Sequence, residues 1–528
     1  MTLSPRRFRH CAHRSLLALL LAALSVAGAA CSLSSPQVIY VTATPEYDEG
    51  GHLVVPPTMT PDEPTPTPLQ PTPDTPRYTQ AAGGMHAVRP GETLGTIAAL
   101  YGVTVDDLLA LNDLSDPNRL EVGQLISVPA GGGMSTPAVK LIPDSELVYG
   151  PTASSFSITG AVKFRQGFLR AYSEQVGEET WSGVKIVDFV ARSYSVNPRL
   201  LLALLEYRGE WLSTPYPTDE QVLYPLGIVK EGREGLLKQL LDAADALNYG
   251  YYGWKYRGTI AMTLGEDQRV LFDPMLNAGT VAVQTMLGLT TSPAQWQRDV
   301  HPSGFFETYL SLFGDPFTHA IEPLVPPDLV QPALTLPFAQ GEEWVYTGGP
   351  HGAYNSGSAW GAIDLAPPEP PEELVQAQGA CYISPHWATA AAPGVIARSS
   401  DGYVILDLDG DGDEHTGWTL VYLHLDDSER IAAGTRVQTG DRLGHPSCQG
   451  GISNGTHLHL SRRYNGEWIP VSCEDCAPGV TVPPFVLGEW TVYGFPNQEY
   501  QGYMTRPGDD GYRQAEQFRD NDLNKIMW

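Results

Sequence analysis

Between residues 394 and 462 the chain breaks into short apolar segments, 394–398, 403–408, 419–424 and 457–462, divided by turns rich in glycine and aspartate. Segments this short, bounded by such turns, predict strands of an antiparallel sheet rather than helices. Side chains on a strand alternate between its two faces. In the last segment, Gly455-Thr456-His457-Leu458-His459-Leu460, that period puts two histidines on one face. Imidazole is the commonest protein ligand for zinc and also shuttles protons near neutral pH. One histidine of the pair can therefore hold a metal while its neighbour handles a proton.

Two more segments precede this pair in order. Leu420-Val421-Tyr422-Leu423-His424-Leu425 ends one strand, and Val437-Gln438-Thr439-Gly440-Asp441-Arg442-Leu443-Gly444 follows it. The three motifs, within 332–472, resemble the lysostaphin and β-lytic family of zinc metalloendopeptidases, which cut peptide bridges in bacterial cell walls. The resemblance implies a β-rich antiparallel metallopeptidase domain with one zinc ion on the floor of a cleft. It implies that His459 binds the metal and that His424 and His457 flank the scissile bond. Asp364, in Ile363-Asp364-Leu365-Ala366, looks like the carboxylate ligand. Many relatives carry a histidine four residues before this aspartate, but Trp360 stands there and cannot bind zinc. The β-lytic branch supplies that ligand from a G-G-x-H segment, which points to His351 in Gly348-Gly349-Pro350-His351-Gly352, 13 residues before Asp364. His351, Asp364 and His459 are thus the expected zinc ligands, leaving a fourth position open as in catalytic sites. His424 and His457 would divide proton transfer and oxyanion stabilisation between them, in an order left open. His386, His415 and His445 fit no ligand spacing and are expected in loops or on the surface.

The opposite end of the chain bears on location. Arg6, Arg7, Arg9 and Arg14 precede the apolar run 16–26, and Gly28-Ala29-Ala30-Cys31 follows. This pattern reads as a secretory signal, with an apolar run too short to span a bilayer comfortably. It resembles a bacterial lipoprotein signal, which implies lipidation of Cys31, a membrane contact through that lipid and an extracytoplasmic place in the cell envelope. The Pro-Thr repeats of 32–82 cannot bury a core and predict an extended tether. A net charge of −28 argues against nucleic acid and anionic lipid as electrostatic partners. Export also permits disulfides among Cys381, Cys448, Cys473 and Cys476. Of the three possible pairings, Cys381 with Cys448 and Cys473 with Cys476 is the one expected.

Residues 83–131 read as strand, helix, helix, strand and resemble a LysM domain, a small βααβ module. The resemblance implies binding of N-acetylglucosamine-containing glycan such as peptidoglycan, with Gly91, Thr93 and Leu94 as sugar contacts. Beyond a linker at 132–154, residues 155–320 show helical periodicity, clearest in 184–194 and 198–211. Asn197 suits an N-cap and Pro198 the first helical position. The stretch 196–206 resembles the opening helix of lysozyme-like lytic transglycosylases, which would make Glu206 a general acid. Tyr207 replaces the usual serine, however, and no G-L-M-Q-like segment follows. An all-α middle domain, lysozyme-like or a spacer, is the expectation, with the aromatics of 248–254 packed at a helix corner. Asp407, Asp409 and Asp411, with Gly412, match the opening of a calcium loop. Trp418 stands where the closing acid belongs, so a β-hairpin tip is expected, with weak calcium binding as the lesser alternative.

The chain thus reads as multidomain: signal 1–31, tether 32–82, LysM 83–131, linker 132–154, helical domain 155–320, metallopeptidase 332–472 and C-terminal extension 473–528, with a strand near 500–503. The function expected is a secreted, membrane-tethered peptidoglycan hydrolase, held to glycan by LysM and cutting wall peptides at zinc. The alternatives are a catalytically silent wall-binding scaffold that activates another hydrolase, and a glycan-cleaving enzyme that uses Glu206.

Overall fold

A computed structural model describes residues 84–528 except 89–91, 102, 113, 115, 117–118, 129–133, 266–267, 475, 478, 509–510 and 518–521. The signal, Cys31 and the Pro-Thr tether lie outside the described residues. The first module has the βααβ order expected: β1 (Gly84–Ala87), α1 (Leu94–Tyr101), α2 (Val105–Asn112) and β2 (Leu125–Val128), the two strands pairing antiparallel. Leu94, Ile97, Leu108, Ile126 and Val128 form its core, and Ile260 of the next domain joins them. The side chain of Asn112 bridges helix to strand, donating to the Ser127 carbonyl and accepting from the Ser127 N–H.

The middle domain is not all-α. A parallel pair joins β3 (Met134–Ser135) to β7 (Gln268–Leu271), which also pairs with β6 (Ala261–Leu264). A second hairpin links β4 (Ser173–Val176) to β5 (Glu179–Ser182), turning at Gly177 with φ of 58°. These strands flank α3 (Gly183–Tyr194), α4 (Pro198–Gly209), α5 (Leu236–Lys255) and α6 (Ala278–Gly288). The start of α4 follows the sequence signal: Asn197 caps it by accepting the Arg199 N–H, and Pro198 opens it. Leu200 to Leu205 are buried on every side, as in a helix at the centre of a domain. Of the expected linker 132–154, the described residues from 134 on belong to this fold, because Leu141, Ile142, Leu147 and Val148 bury in the same core. Of the aromatics in 248–254, Tyr251, Tyr252 and Trp254 are buried, in line with packing.

The third module is built on a nine-stranded sheet. Its strands are β8 (Trp344–His351), β9 (Ala362–Ala366), β10 (Gly394–Ser400), β11 (Tyr403–Asp407), β12 (Trp418–Leu423), β13 (Arg436–Val437), β14 (Leu458–Tyr464), β15 (Glu467–Trp468) and β20 (Lys525–Ile526). The order is β13-β10-β11-β12-β14-β9-β8-β20, with β15 folded back on β14, and every pairing is antiparallel. Both faces are buried. Val404, Leu406, Leu420 and Tyr422 point into a core shared with Phe485, Trp490, Val492 and Met504 of the C-terminal extension. The alternate residues Tyr403, Ile405, Val421 and Leu423 point into the core of the helical domain. The extension adds its own sheet, β16 (Val486–Leu487), β17 (Trp490–Phe495), β18 (Gln498–Thr505) and β19 (Arg513–Gln514).

Buried charges bolt the helical domain to this sheet. Glu414 accepts from Arg192 of α3 as well as from Arg398 and Arg463. Glu467 accepts from Lys255, Tyr251 and Tyr256. Among the described residues no helix is long and apolar enough to cross a membrane.

Candidate metal centre and catalytic cleft

Four adjacent strands, β12, β14, β9 and β8, carry the site. Leu423, the residue before His424, lies opposite His459, and His459 lies opposite Asp364. The register between β8 and β9 shifts twice, between Tyr346 and Gly348 and between Gly348 and His351. Bulges of this kind re-aim side chains near active sites. The glycines of the Gly-Gly-Pro-His segment make this one possible. A Cβ on Gly348 would stand 2.5 Å from Asp364 Oδ2, and one on Gly349 would stand 2.6 Å from the backbone carbon of Gln501.

Hydrogen bonds to backbone carbonyls fix the histidine tautomers. His351 donates from Nδ1 to Gly349 at 2.8 Å, and His459 donates from Nε2 to Ala353 at 3.0 Å. The remaining ring nitrogens, His351 Nε2 and His459 Nδ1, therefore carry lone pairs, and they face each other across 3.1 Å. Asp364 Oδ1 lies 3.4 Å from the first and 3.2 Å from the second, is buried, and receives no donor hydrogen. Three converging lone pairs repel one another unless a cation lies among them. Ligand atoms held about 2.0–2.1 Å from one tetrahedral zinc lie roughly 3.3 Å apart, so the spacing fits that ion.

His424 and His457 stand beside this cluster with ring centroids 4.6 Å apart. His457 donates from Nδ1 to the Gly455 carbonyl at 2.7 Å, which leaves Nε2 at 3.4 Å from Asp364 Oδ1. His424 donates from Nδ1 to the Gln449 carbonyl at 3.2 Å and holds a left-handed φ of 70°. Strain of that kind is found at functional sites that the surrounding fold over-determines. A disulfide between Cys381 and Cys448 ties down the loop carrying Gln449, and Thr456 adds hydrogen bonds to the Ala380 and Tyr382 carbonyls. Cys473 and Cys476 form the second bridge. Burial, then His457 and His459, lowers the His424 pKa to about 3, whereas Asp364 outweighs burial and raises that of His457.

Several contacts had no sequence signal. Tyr500, half exposed and with φ of 65°, stacks on His351 at 4.3 Å between ring centroids. Its neighbour Glu499 accepts the Gly352 N–H at 3.0 Å.

Other candidates lie apart from this cluster. Glu206 Oε2 accepts the N–H of Leu212 and Ser213 at 2.8 and 3.2 Å, which closes the turn after α4 and accounts for this carboxylate without catalysis. Asp407, Asp409 and Asp411 gather at the hairpin tip, close enough to share an ion. Asp407, however, already accepts the N–H of Asp409, Gly410 and Gly412, and calcium gains no support. In the LysM domain Leu94 is buried in the core, Thr93 is exposed and exchanges hydrogen bonds with Thr96, and Gly91 lies outside the described residues. His415 and His445 lie in loops, as expected, but are buried there: His415 packs on Tyr149, and His445 packs on Trp387.

The sequence model described as LysM domain matches residues 86–129, and the one described as LasA, N-terminal domain matches 140–326. The curated Protease LasA of Pseudomonas aeruginosa strain UCBPP-PA14 is 26% identical over 372 residues, covering 66% of this chain and 79% of that protein. The N-acetylmuramoyl-L-alanine amidase XlyA of Bacillus subtilis is 32% identical over 116 residues, covering 21% of this chain and 39% of the amidase. Among solved structures, the M23 metalloprotease pseudoalterin is 21% identical, covering 35% of this chain and 96% of its own, with a TM-score of 0.26. Together the sequence matches support a LasA-like peptidase that carries a LysM domain.

Proposed function

We propose that this chain is an extracytoplasmic zinc endopeptidase that cleaves stem or cross-bridge peptides of peptidoglycan, with its LysM domain holding the glycan. The carrying observation is the convergence of His351 Nε2, Asp364 Oδ1 and His459 Nδ1, three lone pairs at 3.1–3.4 Å whose opposite ring nitrogens are already committed to carbonyls. These three groups would hold the ion. Zinc bound there supplies Lewis acidity toward a peptide carbonyl and lowers the pKa of water to about 7. The LasA relationship and the LysM match support wall peptide and glycan as the two substrate parts. The basic start, the apolar run and Cys31 support export with a lipid anchor.

The chain's own groups then divide the proton work. His424, whose Nδ1 is committed to the Gln449 carbonyl, presents Nε2 to the site and accepts the proton of the attacking water. His457, whose protonated form Asp364 favours, presents an Nε2–H to the developing oxyanion and then to the leaving amine. Zinc content and peptide release from purified peptidoglycan test this reading. The wild type should hold about one zinc per chain, as catalytic sites do. His424→Ala and His457→Ala should keep zinc and lose roughly 100-fold or more in release. Zinc binding by the wild type with no peptide release from any wall would leave only a binding scaffold.

A further inference from the structure

The loop 352–361 joins β8 to β9, so its two ends carry His351 and lead into Asp364. It also touches the third candidate ligand, because the Ala353 carbonyl accepts the His459 Nε2–H at 3.0 Å. One loop therefore bears on all three. Its fold is closed by the Ala353 N–H, which donates to the Ala359 carbonyl at 2.9 Å. Both alanines are buried, and the core they enter is that of the helical domain.

Two helices of that domain grip the loop directly. Asp245 of α5 accepts the Gly357 N–H at 2.9 Å and the Ser356 hydroxyl at 3.4 Å. The approach is so close that a Cβ on Gly357 would collide with the Asp245 carbonyl. Tyr194, the last residue of α3, accepts from Asn355 Nδ2 at 3.0 Å, and its ring meets Tyr354 edge-on at 4.9 Å. Asn355 itself holds a left-handed φ of 65°. At the other end Glu499 holds the Gly352 N–H. The loop is thus pinned from the extension on one side and from the helical domain on the other.

We propose that the helical domain is a positioning element of the metal centre: Asp245 and Tyr194 clamp the 352–361 loop so that the Ala353 carbonyl fixes the tautomer and rotation of His459. The inference rests on the zinc-peptidase reading above. Which nitrogen of an imidazole ligates, and how the ring is turned, is set by the hydrogen bond its other nitrogen makes, and outer partners of this kind are worth about 10–100-fold in metal affinity. A loop freed from Asp245 lets the Ala353 carbonyl drift, and His459 then exchanges between tautomers. The helical domain accordingly contributes to the chemistry without touching substrate.

The test uses the full chain, with zinc affinity read by competition against a chromophoric chelator and the His459 tautomer read from its ring 15N shifts. Asp245→Ala should weaken zinc binding about tenfold, at the low end of outer-partner effects, and should give the zinc-free His459 ring a mixed-tautomer spectrum. Asp245→Asn keeps an oxygen for the Gly357 N–H and should restore wild-type values. Tyr194→Phe, which keeps the ring and loses only the hydroxyl, should weaken zinc about threefold, the worth of one neutral hydrogen bond. Arg192→Leu breaks the bond to Glu414 elsewhere in the same domain interface. It should lower the thermal midpoint and leave zinc affinity and the His459 spectrum unchanged. Unchanged zinc affinity in both Asp245→Ala and Tyr194→Phe would overturn the clamp, as would an equal loss in Arg192→Leu, which would mean general loosening. A wild type that binds no zinc at all would instead bring down the peptidase reading, and the clamp with it.

Discussion

Two clusters in the third module bring three candidate ligand residues together, and they have opposite characters. At His351, Asp364 and His459 the backbone has taken up the outward nitrogen of each imidazole, and the inward lone pairs face Asp364 Oδ1 without a hydrogen among them. At Asp407, Asp409 and Asp411 the backbone does the reverse. Its N–H groups point inward, three of them to Asp407 at 2.7–3.1 Å and one to Asp409 at 3.3 Å. Asp411 accepts the Asp413 N–H and the Thr416 hydroxyl. Asp364 and Asp407 both lie within the protein, yet Asp364 Oδ1 receives no hydrogen and Asp407 has been satisfied by turn amides. Proximity of carboxylates does not separate these cases; the destination of the nearby N–H groups does.

The largest effect should fall on the first cluster. His459→Ala and His351→Ala should each reduce zinc affinity by more than the roughly 100-fold that loss of an outer partner costs, and peptide release should fall with it. Loss in His459→Ala alone, with His351→Ala still binding normally, would mean that a different residue completes the site. The hairpin loop that carries the aspartates also carries Glu414, which is buried and sits against Arg398, Arg463 and Arg192. Burial opposes its ionisation, but these guanidiniums outweigh burial and hold its carboxyl well below the usual range. A carboxyl depressed on folding adds stability that is fully present above the unfolded value of about 4.3 and is lost as pH falls toward the folded one. Thermal midpoints should therefore drop steeply below about pH 4. Glu414→Gln, which leaves buried arginines uncompensated, should cost about 3–5 kcal/mol at neutral pH while zinc stoichiometry stays unchanged.

How much of this contrast could be read from the chain varies with range. The H-x-H strand, its neighbours and the LysM order were legible because period and turn chemistry are local. His351 was legible only through the Gly-Gly-Pro-His resemblance, since no spacing rule links it to Asp364, and the bulge that aims it depends on Gly348 yielding room to that carboxylate. The hairpins of the middle domain escaped because four-residue strands carry too little pattern beside a run such as Leu200 to Leu205. The docking of that domain left one trace. The strand 418–423 is buried throughout instead of alternating, which marks a sheet covered on both faces. Tyr500, Glu499, Asp245 and the carbonyls of Ala353 and Gln449 left none, because backbone oxygens and partners 100 residues away have no local signature.

Removal of the acid at the centre of the second cluster should give a smaller change of a different kind. Asp407→Ala removes the acceptor of three part-buried N–H groups and should cost roughly 1–2 kcal/mol in denaturant unfolding, with zinc content and peptide release unaltered. Release lost together with Asp407 would mean that the hairpin tip serves the cleft after all. The least effect belongs to Asp409, whose carboxyl is pushed up to about 6 by partial burial first and then by the hydrogen bond and charge of Asp407. A carboxyl raised on folding binds more protons than the unfolded chain between about pH 4 and 6, so stability rises as pH falls through that window. In protein freed of zinc by chelator, the wild-type thermal midpoint should gain slightly on that of Asp409→Asn from pH 7 to pH 5, because every other titrating group is common to the two proteins. A gap between the two midpoints that stays constant from pH 7 to pH 5 would show that Asp409 takes up no proton on folding in that window, and that the turn amides alone hold the aspartates together.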